Sequence, residues 1–293
     1  MIDFFEFASR GKNQWWRYLL SIGGAFLFAI VLLTAIMFFL MALHLYSPQF
    51  LTALRQPKDA PVFFLGTGAM FGALVLGLAV SLYLIQRKRP LDIVGHWRWR
   101  LYFQGLAIWF VVQSVLGLID FLIAPKGFSI TASENTLTLA ASALIGLGIQ
   151  TFAEEFFFRG MITQWLLLKF KNPVSTAIAS GIVFGACHIP NGLPQAMSAL
   201  LFGIACALIA IRTGGLAFTC GLHLTNNVFR AVALVSTSDD YKNSPGLFTQ
   251  NTPGLVWWDT MLSLATFAGL IWLVQQGRIL PNSAPIGMLA RRS

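Results

Sequence analysis

The sequence predicts an all-α fold: a polytopic membrane protein of about eight transmembrane helices, with its polar chemistry inside the helix bundle. Three observations predict it. Hydrophobic residues make up 56% of the 293 residues and charged residues only 11%, against about 25% charged in a soluble globular domain. Apolar runs recur at lengths close to the roughly 20 residues that span the hydrocarbon. The basic residues gather at alternate ends of those runs, as the positive-inside rule requires.

Read in order, the runs fall at 18–45, 62–85, 101–124, 137–168, 173–190, 196–212, 214–235 and 256–274. The first extends from Tyr18 to Leu43 behind Asp3 and Glu6. It is too long for the h-region of a signal peptide and is expected to be a retained span. The fourth is too long for one upright span, so it is expected to tilt or to begin as a surface helix. The fifth closes on His188-Ile-Pro190-Asn-Gly192, a helix-stop pattern. With the N-terminus inside, the inner segments hold Arg10, Lys12, Arg17, Arg87, Lys88, Arg89, Arg98, Arg100, Lys169, Lys171, Arg212, Arg278, Arg291 and Arg292. The outer segments hold only Arg55, Lys58, Lys126 and Lys242. Both termini are therefore expected on the cytoplasmic side. Trp15, Trp16, Trp97, Trp99, Trp257 and Trp258 stand at segment edges, where aromatic belts form.

The net charge of +9 comes from these membrane flanks and carries no nucleic-acid pattern. Cys187, Cys206 and Cys220 all fall in apolar segments, and an odd number so placed argues against a disulfide framework. The chain divides into an N-terminal membrane region over 1–136, a core over 137–235 and a last span with a basic tail over 236–293. Neither of the longest loops, 86–100 and 236–255, is long enough to be a domain.

Charge inside a span is costly, roughly 2.5–3.5 kcal/mol at mid-bilayer on insertion scales, and marks a functional site by default. The segment Glu154-Glu155-Phe-Phe-Phe-Arg159 places three ionisable groups within six residues of the fourth run. Glu155 and Arg159 are i, i+4 with the acid first, the favoured order for an ion pair. Glu154 is rotated about 100° away and left free to face another helix. At about 1.5 Å per residue, Glu154 and His188 each lie ~22 Å from the inner face, Asn227 ~20 Å and His223 ~14 Å. Four polar groups from three helices thus fall at similar depth. His223 and Asn227 share one face, and so do Phe184 and His188. Asp120 and Arg230 lie near outer span ends and are expected to be interfacial, and Asn226 is expected to pack.

A carboxylate, two imidazoles and a carboxamide suit hydrolysis of a carbonyl compound. A carboxylate taken out of water can act as a general base, and a histidine can share that water or return the proton to a leaving amine. A second histidine and an asparagine can donate to a developing oxyanion. No G-x-S-x-G serine signature is present. A cysteine nucleophile from Cys187 or Cys220 is the weaker reading, because thiols in apolar surroundings are inert.

These residues resemble a known family. Glu154-Glu155-x-x-x-Arg159, Phe184-x-x-x-His188 and His223-x-x-x-Asn227, in that order and each on an apolar segment, are similar to the three motifs of the CPBP intramembrane proteases. These are the CAAX prenyl proteases of the Ras-converting-enzyme type and their bacteriocin-processing and immunity relatives. The likeness covers about 145–235. It implies an eight-helix intramembrane glutamate endopeptidase in which Glu154 and His188 activate water. His223 and Asn227 would then form the oxyanion hole, while Glu155 and Arg159 hold the first motif in place. It implies no cofactor and a membrane-associated protein or lipidated peptide as substrate. The compact chain points to a bacterial inner-membrane location.

Two other classes compete. Glu154, His188 and His223 also make a His₂Glu set, the ligand types of some catalytic zinc sites, although no H-E-x-x-H is present. A non-enzymatic adaptor, immunity protein or transporter could use the same polar cavity. Transporters commonly show repeated and broken helices, and the sequence shows neither.

Overall fold

A computed structural model of the chain describes residues 4–45, 47–56, 59–238 and 240–276. The basic tail expected beyond the last span lies outside these residues. The helices are α1 (Phe4–Ser9), α2 (Trp15–Ala42), α3 (Pro48–Ala53), α4 (Ala60–Ser81), α5 (Pro90–Val94) and α6 (Trp99–Ile123). They continue as α7 (Thr136–Glu154), α8 (Thr163–Phe170), α9 (Pro173–Cys187), α10 (Leu193–Thr213), α11 (Ala217–Val228) and α12 (Val256–Gln275). Among the described residues, six helical stretches are long and apolar enough to cross a membrane: 15–42, 60–86, 99–123, 136–170, 193–213 and 253–273. The protein is therefore a polytopic helical membrane protein. The fifth and seventh runs do form helices, α9 and α11, but both are shorter than the roughly 20 residues of a full span. By length the six stretches are established as spans, and α11 is extended by a π turn over Phe229–Ala233.

The fourth run is one continuous helix over 136–170 whose middle, Glu155–Ile162, winds as a π-helix between α7 and α8. Single π turns inside α-helices are uncommon and frequent at functional sites. Thr163 helps to hold this one: its hydroxyl donates to the Phe158 carbonyl, five residues back, at 2.9 Å and lies 2.8 Å from Ser180 Oγ of α9.

Successive helices run in opposite directions, so the connections collect at two ends. At the end that holds the N-terminus, α1 folds back with Phe4 and Phe7 buried. There Lys88 Nζ donates to the Ala8 carbonyl at 2.9 Å, Arg10 pairs with Asp92 at 2.8 Å and Gln164 Nε2 donates to the Asp92 carbonyl at 2.8 Å. The opposite end is richer in loops. Three short strands meet there, β1 (Phe128–Ile130), β2 (Leu234–Ser236) and β3 (Phe248–Gln250), in the order β1-β3-β2. Phe128 pairs with Gln250 in the antiparallel half and Leu234 with Phe248 in the parallel half. Three-residue strands are too short to leave an alternating pattern in the sequence.

Within a bilayer the hydrophobic effect no longer drives helices together, so close backbone approach at small residues matters more. A methyl at Gly203 of α10 would stand 2.8 Å from Gly181 Cα of α9, and one at Gly68 of α4 would stand 2.9 Å from Gly146 Cα of α7. A methyl at Gly221 of α11 would collide with the Tyr102 carbonyl of α6. The most buried crossing helix is α10, with 61% of its apolar window inside the protein, against 11% for α2. It packs against α9, α11 and α12 and forms the axis about which the site is built.

Candidate active site

Glu154 is the last residue of α7 before the π segment. Its Oε1 accepts a hydrogen bond from Gln150 Nε2 at 3.0 Å, and its Oε2 lies 3.7 Å from His223 Nε2. Gln150 sits one turn before Glu154. An amide in an otherwise apolar helix was its only signal in the sequence. Glu155 points the other way and has no exposed side-chain surface. It pairs with Arg159 at 3.2 Å, and His223 Nδ1 lies 2.8 Å from the same oxygen. The expected i, i+4 ion pair is therefore present, and it is shared with α11. The π turn does not separate the pair.

Arg159 is completely buried, and its guanidinium carbon lies 4.1 Å from the Phe184 ring centroid and 5.3 Å from that of Phe202. Its contact with Glu155 is ionic, and none of its side-chain N–H groups makes a well-aligned hydrogen bond among the described residues. Aromatic faces are one environment in which a desolvated guanidinium is stabilised. Phe184 thus has two jobs. One face covers Arg159, and its ring centroid lies 4.5 Å from that of His188.

His188 caps the C-terminus of α9 just before the Ile189–Asn191 turn, as its helix-stop context predicts. Its Nδ1 lies 2.8 Å from the Phe184 carbonyl. A carbonyl only accepts, so Nδ1 carries the proton and Nε2 of the neutral ring is free to take one.

On α11, a relay fixes Asn227. Trp109 Nε1 of α6 donates to Asn226 Oδ1 at 3.1 Å, and Asn226 Nδ2 donates to Asn227 Oδ1 at 3.2 Å. Indole N–H can only donate, so the direction of the relay is set. It leaves the Asn227 Nδ2 donors turned away from Asn226. Asn226, expected merely to pack, is the link, and Trp109 gave no sign of this role in the sequence.

Glu154, His188, His223 and Asn227 all line one cavity of about 590 Å³, together with Gln150 and Trp109. Its size is in the range of small-molecule and peptide pockets. Phe184 lines it as well, while Glu155 and Arg159 stand behind that wall. The cavity also draws on α6 and α12, for example through Gln113 and Thr266, which lie outside 137–235. Asp120 and Arg230, expected at the membrane interface, face this cavity instead, and Gln250 Nε2 of β3 donates to Asp120 at 3.4 Å. Cys187 is exposed and lines the cavity, whereas Cys206 and Cys220 are buried; none forms a disulfide. Among the described residues no three His, Cys, Asp or Glu side chains are arranged to hold a metal ion.

Residues 136–229, which supply Glu154, His188, His223 and Asn227, match the family model described as type II CAAX prenyl endopeptidase Rce1-like. This segment is similar to the Rce1-like family. Along nearly its whole length the chain is also similar to an uncharacterized protein, YyaK, of Bacillus subtilis (strain 168). The two are 29% identical over 282 residues, which is 89% of this chain and 93% of that relative. No solved structure matches the chain. The likeness is thus to CAAX-type endopeptidases, and the matched segment supplies Glu154, His188, His223 and Asn227 to the cavity.

Proposed function

We propose that this Rce1-like protein is an intramembrane endopeptidase in which Glu154 and His188 activate a water molecule against a peptide carbonyl. The observation that carries the reading is the shared cavity. Glu154 is oriented by Gln150 and His223 and opens onto the same space as His188, whose Nε2 is the proton-accepting nitrogen. Water gives its proton to Glu154 as its oxygen adds to the carbonyl carbon. The electron pair of the carbonyl moves onto oxygen, where Asn227 Nδ2 and a protonated His223 Nε2 donate to it. Collapse breaks the C–N bond, and the proton held at Glu154 or His188 passes to the leaving amine.

The buried pair behind the wall supports this division of labour. Arg159 pairs with Glu155, and Glu155 in turn holds His223 by Nδ1 so that Nε2 faces the cavity. The core over 137–235 would carry the chemistry, with α6 and α12 as walls. A membrane-associated protein or lipidated peptide is the substrate class, and no metal is needed.

Purified Glu154→Gln protein tests the reading. Cleavage of a membrane-bound reporter peptide is expected to fall by about 10²–10⁴-fold, the usual worth of a positioned general base, with the fold unchanged by circular dichroism. Undiminished cleavage would sink the proposal. Stoichiometric zinc in the purified protein, lost together with activity on chelation, would favour the His₂Glu zinc alternative through Glu154, His188 and His223.

A further inference from the structure

We infer that the substrate enters this site from the loop-rich end of the bundle, on the face opposite the N-terminus, and that the scissile segment is extracytoplasmic. The inference rests on the endopeptidase reading for the word substrate, but its geometry stands on the cavity alone.

Helices α6, α10 and α12 line the cavity mainly with the half nearer the loop-rich end, and the helix over 136–170 reaches it at its middle, through Gln150, Glu154 and Phe158. In α6 the lining runs from Trp109 to Asp120, in α10 from Pro194 to Phe202 and in α12 from Val256 to Phe267. Beyond the helices the wall continues into the loop and strands, through Ser236, Ser238, Asp240 and Gln250. Asp240 also accepts from Asn191 at 3.1 Å, which ties that loop to the turn after His188. Nothing from 86–100, 169–172 or 213–216, the connections at the N-terminal end, lines the cavity.

The other direction is closed by a layer of aromatic rings. Trp109 stacks on Phe267 at 5.1 Å, Phe267 meets Phe202 at 5.4 Å, Phe202 meets Phe184 at 6.0 Å and Phe184 meets Phe158 at 4.9 Å. All five rings are nearly or fully buried. Behind this floor lie the Arg159–Glu155 pair and then the packed N-terminal end, where Gln164 and Lys88 are spent on backbone carbonyls. A peptide coming from that side would have to displace buried rings and a buried ion pair.

Charge then assigns the two ends to the two sides of the membrane. Among the described residues, eleven Lys and Arg residues belong to the N-terminal end and the segments that return to it, and three to the opposite connections. Under the positive-inside rule the closed end is cytoplasmic and the open end extracytoplasmic. A short, membrane-proximal segment displayed outside the cytoplasm is therefore the substrate this opening fits.

Cys187 is a built-in probe, since it lines the cavity beside His188 and the other two cysteines are buried. Bacterial spheroplasts and inverted membrane vesicles carrying the full chain would be treated with a membrane-impermeant maleimide. Labelling of wild type in spheroplasts, absent in Cys187→Ser, is expected. In the Cys187→Ser background, Ser238→Cys at the mouth should label in spheroplasts, and Lys169→Cys at the exposed closed end only in inverted vesicles. Cys187 reacting from inverted vesicles alone, or from neither side, would overturn the opening. Ser238→Cys reacting from inverted vesicles alone would overturn the orientation. None of these readouts involves proteolysis. Expected labelling combined with an active Glu154→Gln protein would therefore leave the opening standing and remove the peptidase reading.

Discussion

Arg159 shows how one side chain can be tolerated where its charge is costly. Its partner Glu155 neutralises it, two rings cover its faces, and His223 extends the contact to a second helix. A buried pair of this kind is weak evidence for stability, because desolvation offsets much of the attraction. Its value here is positional, since it fixes which way His223 and therefore Glu154 can face. The same logic applies to the Trp109–Asn226–Asn227 relay. Trp109→Phe keeps the ring stack on Phe267 and deletes only the indole donor. Asn226 is then free to turn, and Asn227 loses its fixed amide orientation. The expected outcome is a kcat about tenfold lower with KM nearly unchanged, as for an interaction made mainly in the transition state. A raised KM with kcat unchanged would assign Trp109 to substrate binding instead.

Helices α6 and α11 carry Trp109 and the His223–Asn227 face, and they meet at glycines. Gly221 of α11 lies against the Tyr102 carbonyl, and Gly105 of α6 against the Phe218 carbonyl. Backbone cannot yield as a flexible side chain does, so Gly221→Ala must push the helices apart. Overpacking of this kind costs about 1–3 kcal/mol. A lower melting temperature in detergent is expected, and activity should fall further than stability alone explains, because α11 moves relative to Glu154. Wild-type melting and activity in Gly221→Ala would show that the contact is loose. The π segment likewise depends on packing between elements. The sequence carries no pattern for it, since the apolar spacing of 137–168 is that of an ordinary helix. The contacts with Thr163 and Ser180 that hold it come from outside the widened turn.

Over the whole molecule, polarity is distributed by end. The open end holds loops, strands and the cavity mouth, while the closed end is packed around buried charge. Lys88 belongs to that packing. It is 1% exposed, and burial pushes its ammonium down from its usual 10.5 to about 8, with Asp92 pulling the other way. Between pH 8 and 10.5 the unfolded chain keeps a proton that the folded protein has lost, so stability rises with pH across that window. The gain is about 1.4 kcal/mol per pH unit and about 3 kcal/mol in all. Relative to Lys88→Met, wild type should therefore gain stability steadily from pH 8 to 10.5. A difference that stays flat in melting curves over that range would show that Lys88 does not titrate there.

Composition and run length were enough for a polytopic helical protein, because crossing lipid demands long apolar helices whatever their partners. The shared depth of Glu154, His188, His223 and Asn227 was legible because the topology alternates, and the four do line one cavity. Local spacing also reached the Glu155–Arg159 pair, which lies within a single helix. Whatever depends on contacts between distant segments was out of reach. That includes the sharing of Glu155 with His223, the support of Asn227 by Trp109, the turning of Asp120 and Arg230 into the cavity, and the strands at its mouth. The tertiary structure alone decided which end of the bundle is floored with rings and which is open. Helical periodicity tells which residues share a face, but only the packing of one helix against another tells what that face meets.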